Sequence, residues 1–278
     1  MIMAYCIFGD SQAQSTEPIF GISGQPVTII SANGLGVAVS LISPSDLTPD
    51  TDRALTYQAV VESMHRNRTV IPLRYGNVYE EEAQIVRFLL ENEERLKLSL
   101  SELNGCVEMG IRVLFAESPE AERQSHESGI GGTTPLRREP SGIGHSYLAK
   151  RRALYGLDQT RARRRDAIAG HCRKAFAGLY VKFKREEDES EFTRFGLGLT
   201  GSLAHRSIFS LYFLVPRGSI DLFRQAFREL TSRESARLLL SGPWAPYNFV
   251  TDLTGSTGVP RAHREGSSGW NPGVELMQ

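Results

Sequence analysis

A polar stretch near the middle of the chain, residues 117–144, constrains the fold more than any other feature of the 278-residue sequence. It reads ESPEAERQSHESGIGGTTPLRREPSGIG and contains few large apolar residues that a core could hold. Such a composition is typical of a linker or a mobile loop. The chain is long enough for two domains of ordinary size. We therefore predict domains at residues 1–118 and 143–252, a linker or mobile loop at 119–142 and a disordered tail at 253–278.

Hydrophobic periodicity predicts the elements of the first domain. Apolar residues alternate on both sides of Asn33-Gly34, a pair suited to the positive φ angles of a tight hairpin turn. A continuous helical pattern covers residues 80–105, with acids at its start and Gly105 at its end. The predicted elements are strands at 2–8, 27–32 and 35–41, a helix at 53–66, an extended segment at 69–76, the helix at 80–105 and a strand at 107–115. This order indicates an α+β domain with helices over a mostly antiparallel sheet.

The second domain has a similar pattern after a longer helical region. Residues 145–180 are typical of a helix with an interruption possible at Gly156, and residues 184–191, KREEDESE, indicate an acidic exposed turn. The remaining elements are a buried strand at 207–216, an amphipathic helix at 218–235 and a last strand at 236–242. The predicted fold class is thus α+β, with two domains that each combine a mainly antiparallel sheet with packed helices.

Composition excludes several classes of protein. Equal numbers of basic and acidic residues give a formal net charge of zero, so no global field attracts nucleic acid or anionic lipid. Three widely spaced cysteines do not form a disulfide framework and favour a reducing compartment. The N-terminus does not resemble a signal peptide, and no apolar run approaches a membrane span. We expect a cytoplasmic protein.

The sequence contains no motif that predicts a catalytic residue, a cofactor or a metal. Residues 196–201, GLGLTG, match the pattern G-x-G-x-x-G, but they lack the preceding strand and the following helix that a phosphate site requires. His171 and Cys172 are neighbours, and adjacent helical residues point in different directions, which makes them a poor metal pair. We expect a protein that is not an enzyme.

An arginine-rich stretch at residues 150–174 is the strongest local charge feature, and Arg163 and Arg164 lie within it. One interpretation is phosphate binding in a nucleic-acid-binding module, because each neutralised phosphate releases counterions. The other is a solvated helix face that pairs with an acidic partner or with the acidic turn EEDESE, residues 186–191, of this same chain. The neutral total charge favours the second interpretation.

The last motif, SGPWAPYNFV at residues 241–250, places Trp244, Tyr247 and Phe249 around two prolines. Proline fixes φ, so the segment follows a defined path at low entropic cost. One hypothesis is a structural lock that joins the last strand to the core. The alternative is a rigid aromatic surface that binds an apolar partner. Arg163, Arg164, Trp244, Tyr247 and Phe249 are the candidate partner-binding residues.

Three stretches of the chain together resemble the gas vesicle protein F and L family. Residues 60–82 contain PLRYG, which is similar to the family's P-[LVM]-R-[FY]-G segment, and residues 144–152, GHSYLAKRR, resemble the start of its central helix. The closing motif resembles the family's Ser-Gly-Pro-Trp-Pro-Pro-Tyr-x-Phe, with Ala245 where proline is usual. The likeness covers residues 4 to 252, without a counterpart for the linker or the tail.

The resemblance implies two α+β domains, of which the second is similar to a modified ferredoxin-like fold. It implies an accessory or minor structural protein that acts in gas vesicle assembly, located at the gas vesicle, the gas-filled protein shell that gives cells buoyancy. The implied partners are the major shell protein and other accessory proteins. A nucleic-acid-binding module that uses residues 150–174 remains the alternative.

Overall fold

The computed structural model describes residues 1–10, 18–48, 50–114, 159, 162–188 and 208–250. These residues form two antiparallel sheets with helices packed on them, which confirms the predicted α+β class. The predicted linker at 119–142, the tail at 253–278, the glycine motif at 196–201 and most of the arginine-rich stretch before residue 162 lie outside the described residues. None of the helices in the described ranges is long and apolar enough to span a membrane.

The first sheet has the strand order β2-β3-β1-β4, and a short strand β5 also pairs with β1. All of its pairs are antiparallel. Its strands are β1 (Ile2–Gly9), β2 (Thr28–Ala32), β3 (Leu35–Leu41), β4 (Val70–Pro72) and β5 (Val78–Tyr79). The predicted hairpin is confirmed, because Asn33 and Gly34 join β2 to β3 with φ angles of 48° and 76°. These angles suit a two-residue hairpin turn with positive φ at both positions.

Helix α1 (Thr51–Asn67) packs on one face of this sheet. The side chain of Asp50 caps it by accepting a hydrogen bond from the Arg53 backbone N–H at 2.8 Å. The buried face of the helix carries Tyr57, Val60, Val61 and Met64.

The helix predicted at 80–105 is divided in the structure, so the prediction of one continuous helix is wrong. Helix α2 (Glu82–Glu91) and helix α3 (Glu93–Leu103) meet at Asn92, whose φ and ψ of −114° and 13° are not helical. The Asn92 side chain donates a hydrogen bond to the Phe88 carbonyl at 2.9 Å, which satisfies a carbonyl at the end of α2. Both helices contribute to the core that lies on the other face of the first sheet.

The second sheet has the strand order β7-β8-β6-β9, again with antiparallel pairs. Its strands are β6 (Cys106–Leu114), β7 (Lys182–Asp188), β8 (Ile208–Pro216) and β9 (Arg237–Trp244). The sequence interpretation placed β6 in the first sheet, and this placement is wrong because β6 pairs with β8 on one side and β9 on the other. The hydrophobic core between the second sheet and its helices is called the second core. The side of β6 that faces it is buried and carries Val107, Met109, Ile111 and Val113.

Strand β7 corrects a second expectation, the acidic exposed turn at 184–191. Residues up to Asp188 are paired with β8 from Lys182↔Leu214 to Asp188↔Ile208. Phe183 packs against the second core and lies 5.1 Å from the Phe213 ring, so one side of the strand is anchored by apolar contacts. Tertiary pairing here overrides a local composition that is poor in strand-forming residues.

Among the described residues, two helices cover the second sheet: α4 at residues 162–175 and α5 (Ile220–Thr231). Ile168, Cys172 and Phe176 recur at four-residue spacing and face the core, where the Phe176 ring stacks on Phe223 at 4.2 Å. The described elements of the second unit therefore follow one another in the order β-α-β-β-α-β. This order supports the ferredoxin-like likeness, which stays a prediction. The division at 118 and 143 likewise stays a proposal, in which the first segment supplies β6 to the second sheet.

Candidate functional site at the junction of the two sheets

The closing segment, residues 242–250, begins within the last three residues of β9. It then crosses from the second sheet to the first. Its path begins at Gly242, which has a φ of +105° and precedes a cis peptide bond to Pro243. A Cβ atom at Gly242 would lie 2.6 Å from the backbone carbonyl oxygen of Glu108 and 3.3 Å from the Trp244 ring. Only glycine fits this position, because both the backbone angle and the close approach to β6 exclude a side chain.

Glu108 of β6 and Asn248 of the closing segment form the central polar contact of the junction. The Asn248 backbone N–H donates to Glu108 Oε2 at 2.8 Å, and Asn248 Nδ2 donates to Oε1 at 2.7 Å. Only 2% of Glu108 is exposed. Burial raises the pKa of Glu108 to about 7, although both Asn248 bonds and nearby Lys184 favour the ionised form.

A second carboxylate, Glu62 of α1, holds the middle of the closing segment. The Ala245 backbone N–H donates to Glu62 Oε1 at 3.1 Å, and Ala245 itself is fully buried. Burial raises the pKa of Glu62, while the Ala245 bond and the positive charges of Arg66 and Arg217 lower it. The contact ties the segment to the helix of the first sheet.

Arg217, directly after β8, makes a third connection between the two sheets. Its guanidinium NH2 donates to the backbone carbonyl of His65 in α1 and lies 3.2 Å from His65 Nε2. His65 is buried. Burial, followed by the positive charge of Arg217, lowers the pKa of His65 to about 4. The imidazole is therefore neutral at neutral pH beside the permanently charged guanidinium.

The three candidate aromatic residues lie at this junction in different surroundings. Tyr247 packs against the core between α1 and the first sheet, and burial raises the pKa of its hydroxyl well above 10. Phe249 packs against the core on the other face of that sheet. Trp244 is half-buried opposite Glu108 in β6, and its indole Nε1 lies buried without a hydrogen-bond partner among the described residues. These inward contacts favour the structural lock over a continuous aromatic surface.

Arg163 and Arg164 lie apart from the junction, on the exposed side of α4. The buried side of α4 is held to the core by Ile168 and Cys172, and two exposed residues of the helix also contact neighbouring elements. His171 Nδ1 lies 2.9 Å from Glu234 after α5, and Arg185 of β7 donates to Asp166 at 2.5 Å. The two arginines therefore stand on a firmly docked helix.

Sequence reasoning missed the polar members of the junction: Glu62, His65, Glu108, Arg217 and Asn248. CVEMGIRVL was predicted as a strand, and the prediction assigned no role to Glu108. The proline-rich aromatic motif was the one signal that marked this region. Among the described residues, no group of three or more His, Cys, Asp or Glu side chains is arranged to hold a metal ion.

Fold and junction together define a class of protein: two antiparallel α+β units joined by buried polar contacts and closed by a rigid aromatic segment. The sequence model of a family described as gas vesicle synthesis protein GvpL/GvpF matches residues 2–251, and the chain belongs to that family. This membership confirms the resemblance drawn from the motifs.

Individual relatives agree with the family match. Gas vesicle protein L from a Streptomyces species is 26% identical and aligned over 84% of this chain and 86% of its own length. Gas vesicle protein L1 from Halobacterium salinarum is 22% identical over 90% of each chain. The crystal structure of the gas vesicle protein GvpF from an Anabaena species superposes with a TM-score of 0.66 at 18% identity. It covers 89% of this chain and 94% of that one, which shows a shared fold.

Proposed function

We propose that this protein acts in gas vesicle assembly by binding the major shell protein and other accessory proteins. Its membership in the GvpL/GvpF family already gives it a gas vesicle role and connects it with buoyancy. The finer proposal places it at the gas vesicle in the cytoplasm, working through protein–protein contacts and not through catalysis.

The observation that carries the proposal is a charged surface on a rigid support, in a chain matched to this family over nearly its whole length. Arg163 and Arg164 are exposed on α4, whose other side is buried through Ile168, Ala169 and Cys172. Exposed arginines pair well with carboxylates of a partner because the guanidinium presents a planar fork of donors. An acidic surface of another gas vesicle protein suits this face.

A binding experiment with matched charge reversals tests the proposal. We expect Arg163→Glu/Arg164→Glu to reduce capture of other gas vesicle proteins in a pull-down, while its thermal melting stays close to that of the parent. The control is Arg228→Glu/Arg233→Glu, which makes the same charge change at exposed residues at the end of α5. Equal losses in both variants would show that net charge, and not this face, determines binding.

The alternative, a nucleic-acid-binding module, depends on the same exposed arginines. It predicts DNA or RNA binding whose affinity falls steeply with salt and is lost in Arg163→Glu/Arg164→Glu. Such a result would favour the alternative over the protein-binding role. Deletion of the gene, followed by electron microscopy, tests the assembly role itself: cells that still form normal vesicles would contradict it.

A further inference from the structure

Three apolar side chains, Phe20, Pro26 and Leu41, are exposed side by side at one end of the first sheet. Phe20 has 58% of its surface exposed and Leu41 has 64%, and Pro26 is exposed as well. An isolated bridge pairs Phe20 with Pro26. The register of β2 and β3, in which Thr28 pairs with Val39, continues outward to set Pro26 opposite Leu41. We call these three residues the apolar row.

The side chains of the apolar row share one face of the sheet. Residues directly opposite in antiparallel pairs lie on the same face, and neighbours along a strand alternate between faces. Ile19, Val27 and Ile42, the chain neighbours of the row, pack against the core between α1 and the sheet. The row therefore lies on the other face, over the middle of which α2 and α3 pack. Adjacent exposed apolar residues mark a binding surface more strongly than scattered ones do.

The loop that connects the first two residues of the row is fixed to the sheet. Ile22 is fully buried, and its backbone N–H donates to the Tyr5 hydroxyl at 3.0 Å. The Ser23 hydroxyl donates to the buried carboxylate of Asp46 at 2.8 Å. A surface that is already ordered loses little conformational entropy when a partner binds. The row is therefore prepared for binding.

Charges around the row indicate the chemistry of its occupant. Residues 18–45 contain no Asp, Glu, Lys, Arg or His. A charged side chain placed on this surface would lose water without gaining an ionic partner, so the contacting side chains must be uncharged. Leu41 pairs with Ile2, and Ile2 pairs with Tyr79, about 10 Å or two strand spacings away. Three exposed glutamates, residues 80–82, follow there and favour a basic neighbour to the apolar contact.

We propose that the apolar row is a second binding surface, which takes a short apolar segment of another protein with basic residues beside it. Three partly exposed side chains offer much less area than the about 800 Å² that each partner of a stable complex buries, so the row does not suit a dimer of this chain. A short segment across the row can cover all three side chains and place its basic residues near the glutamates. This contact goes beyond the arginine face of α4, and neither surface depends on the other.

A peptide with both features of the occupant tests the proposal. The probe is a labelled peptide of about ten residues in which valine and serine alternate after two lysines, because alternate residues of an extended chain share one face. We expect saturable binding to the full-length protein by fluorescence anisotropy. The matched peptide with two glutamates in place of the lysines should bind several-fold more weakly in low salt, and high salt should reduce this difference.

Substitutions test whether the peptide binds at the row. We expect Phe20→Ser/Leu41→Thr to bind the lysine peptide at least about tenfold more weakly than the parent. Its melting temperature should stay close to that of the parent, because both side chains are largely exposed. Leu222→Gln is the matched control, since it removes an exposed leucine from α5. Arg163→Glu/Arg164→Glu should also bind the peptide like the parent, so the two proposed surfaces can fail separately.

Several results would overturn the proposal. One is a parent protein that does not bind the lysine peptide at up to about 0.5 mM, a range that includes weak complexes. Others are undiminished binding by Phe20→Ser/Leu41→Thr and an equal loss of binding in Leu222→Gln. A glutamate peptide that binds as tightly as the lysine peptide would overturn the assignment of a basic occupant.

Discussion

Asn248 holds the buried carboxylate of Glu108 with two hydrogen bonds, one from its backbone N–H at 2.8 Å and one from its side-chain amide at 2.7 Å. The contact joins the last residues of the closing segment to the middle of the second sheet. The junction therefore depends on an ionisable group that water reaches poorly, since Glu108 is 2% exposed. Its protonation links stability to pH.

We predict that Glu108 makes the folded protein less stable as pH rises from about 4.5 to about 7. Its pKa is raised from 4.5 to about 7 in the folded protein. Between these values the folded protein holds a proton that the unfolded chain has lost, so the free energy of unfolding falls by about 3 kcal/mol in total. Urea unfolding at several pH values, with Glu108→Gln for comparison, measures the effect.

The comparison with Glu108→Gln is needed because His65 changes the stability with pH in the opposite direction. Its pKa is lowered from 6.5 to about 4, so the folded protein gains stability as pH rises through that range. The difference in unfolding free energy between the parent and Glu108→Gln removes the His65 contribution, which both proteins share. A difference that does not change with pH would contradict the prediction.

Gly242→Ala should destabilise the protein by about 2–4 kcal/mol, through a strained backbone angle and a clash with β6. The new Cβ would lie 2.6 Å from the Glu108 carbonyl oxygen, a backbone atom that cannot move without disturbing the strand. Gly218→Ala is the control, because a Cβ there meets nothing within 4 Å. Denaturant titration of both variants decides the matter, and equal stabilities would refute the role of Gly242.

Trp244→Ala should lower the free energy of unfolding by about 2 kcal/mol, less than for a fully buried tryptophan because the side chain is half-buried. Trp244→Phe should cost less, since it keeps a ring and removes an indole N–H that has no partner among the described residues. Thermal melts and a pull-down on the same variants separate stability from binding. An unchanged melting temperature with lost partner capture would make the aromatic segment a binding site.

Limited proteolysis should cut first within residues 119–142 and leave two resistant fragments that remain associated. The composition of this stretch predicts accessibility, while the position of β6 between β8 and β9 predicts that the fragments stay together. Denaturing gels should show two bands, and gel filtration without denaturant should show one species. First cuts inside residues 82–103 would contradict the domain proposal, and fragments that separate spontaneously would contradict the sharing of β6 between the two segments.

Local patterns predicted the existence of most elements but not their partners. The hairpin at Asn33-Gly34 was found because its turn chemistry lies within two residues. Strand β6 was recognised as a strand and assigned to the wrong sheet, because its partner β8 lies beyond residues 115–207. Strand β7 was missed because its charged residues suit a turn by composition, while pairing with β8 and the anchoring of Phe183 decide the structure.

At the candidate site too, residues close together in the sequence could be predicted, and contacts between distant residues could not. Proline and aromatic residues marked the closing segment, but nothing near Glu108 in the sequence reveals that Asn248 covers it. Burial of Glu62 and His65 likewise depends on how α1 meets the second sheet. Polar residues at a junction look like solvated residues until the facing element is known.

The position of β6 also determines the order in which the chain can finish folding during synthesis. Translation proceeds from the N-terminus, so β6 leaves the ribosome before either neighbour has been made and must wait with both edges open until residues 208–244 emerge. Pairing over such a distance along the chain is slow, and open edges expose the nascent protein to aggregation. A chaperone that shields a single waiting strand would therefore have a larger effect on the yield of this protein than on that of a chain whose sheets are built from consecutive segments.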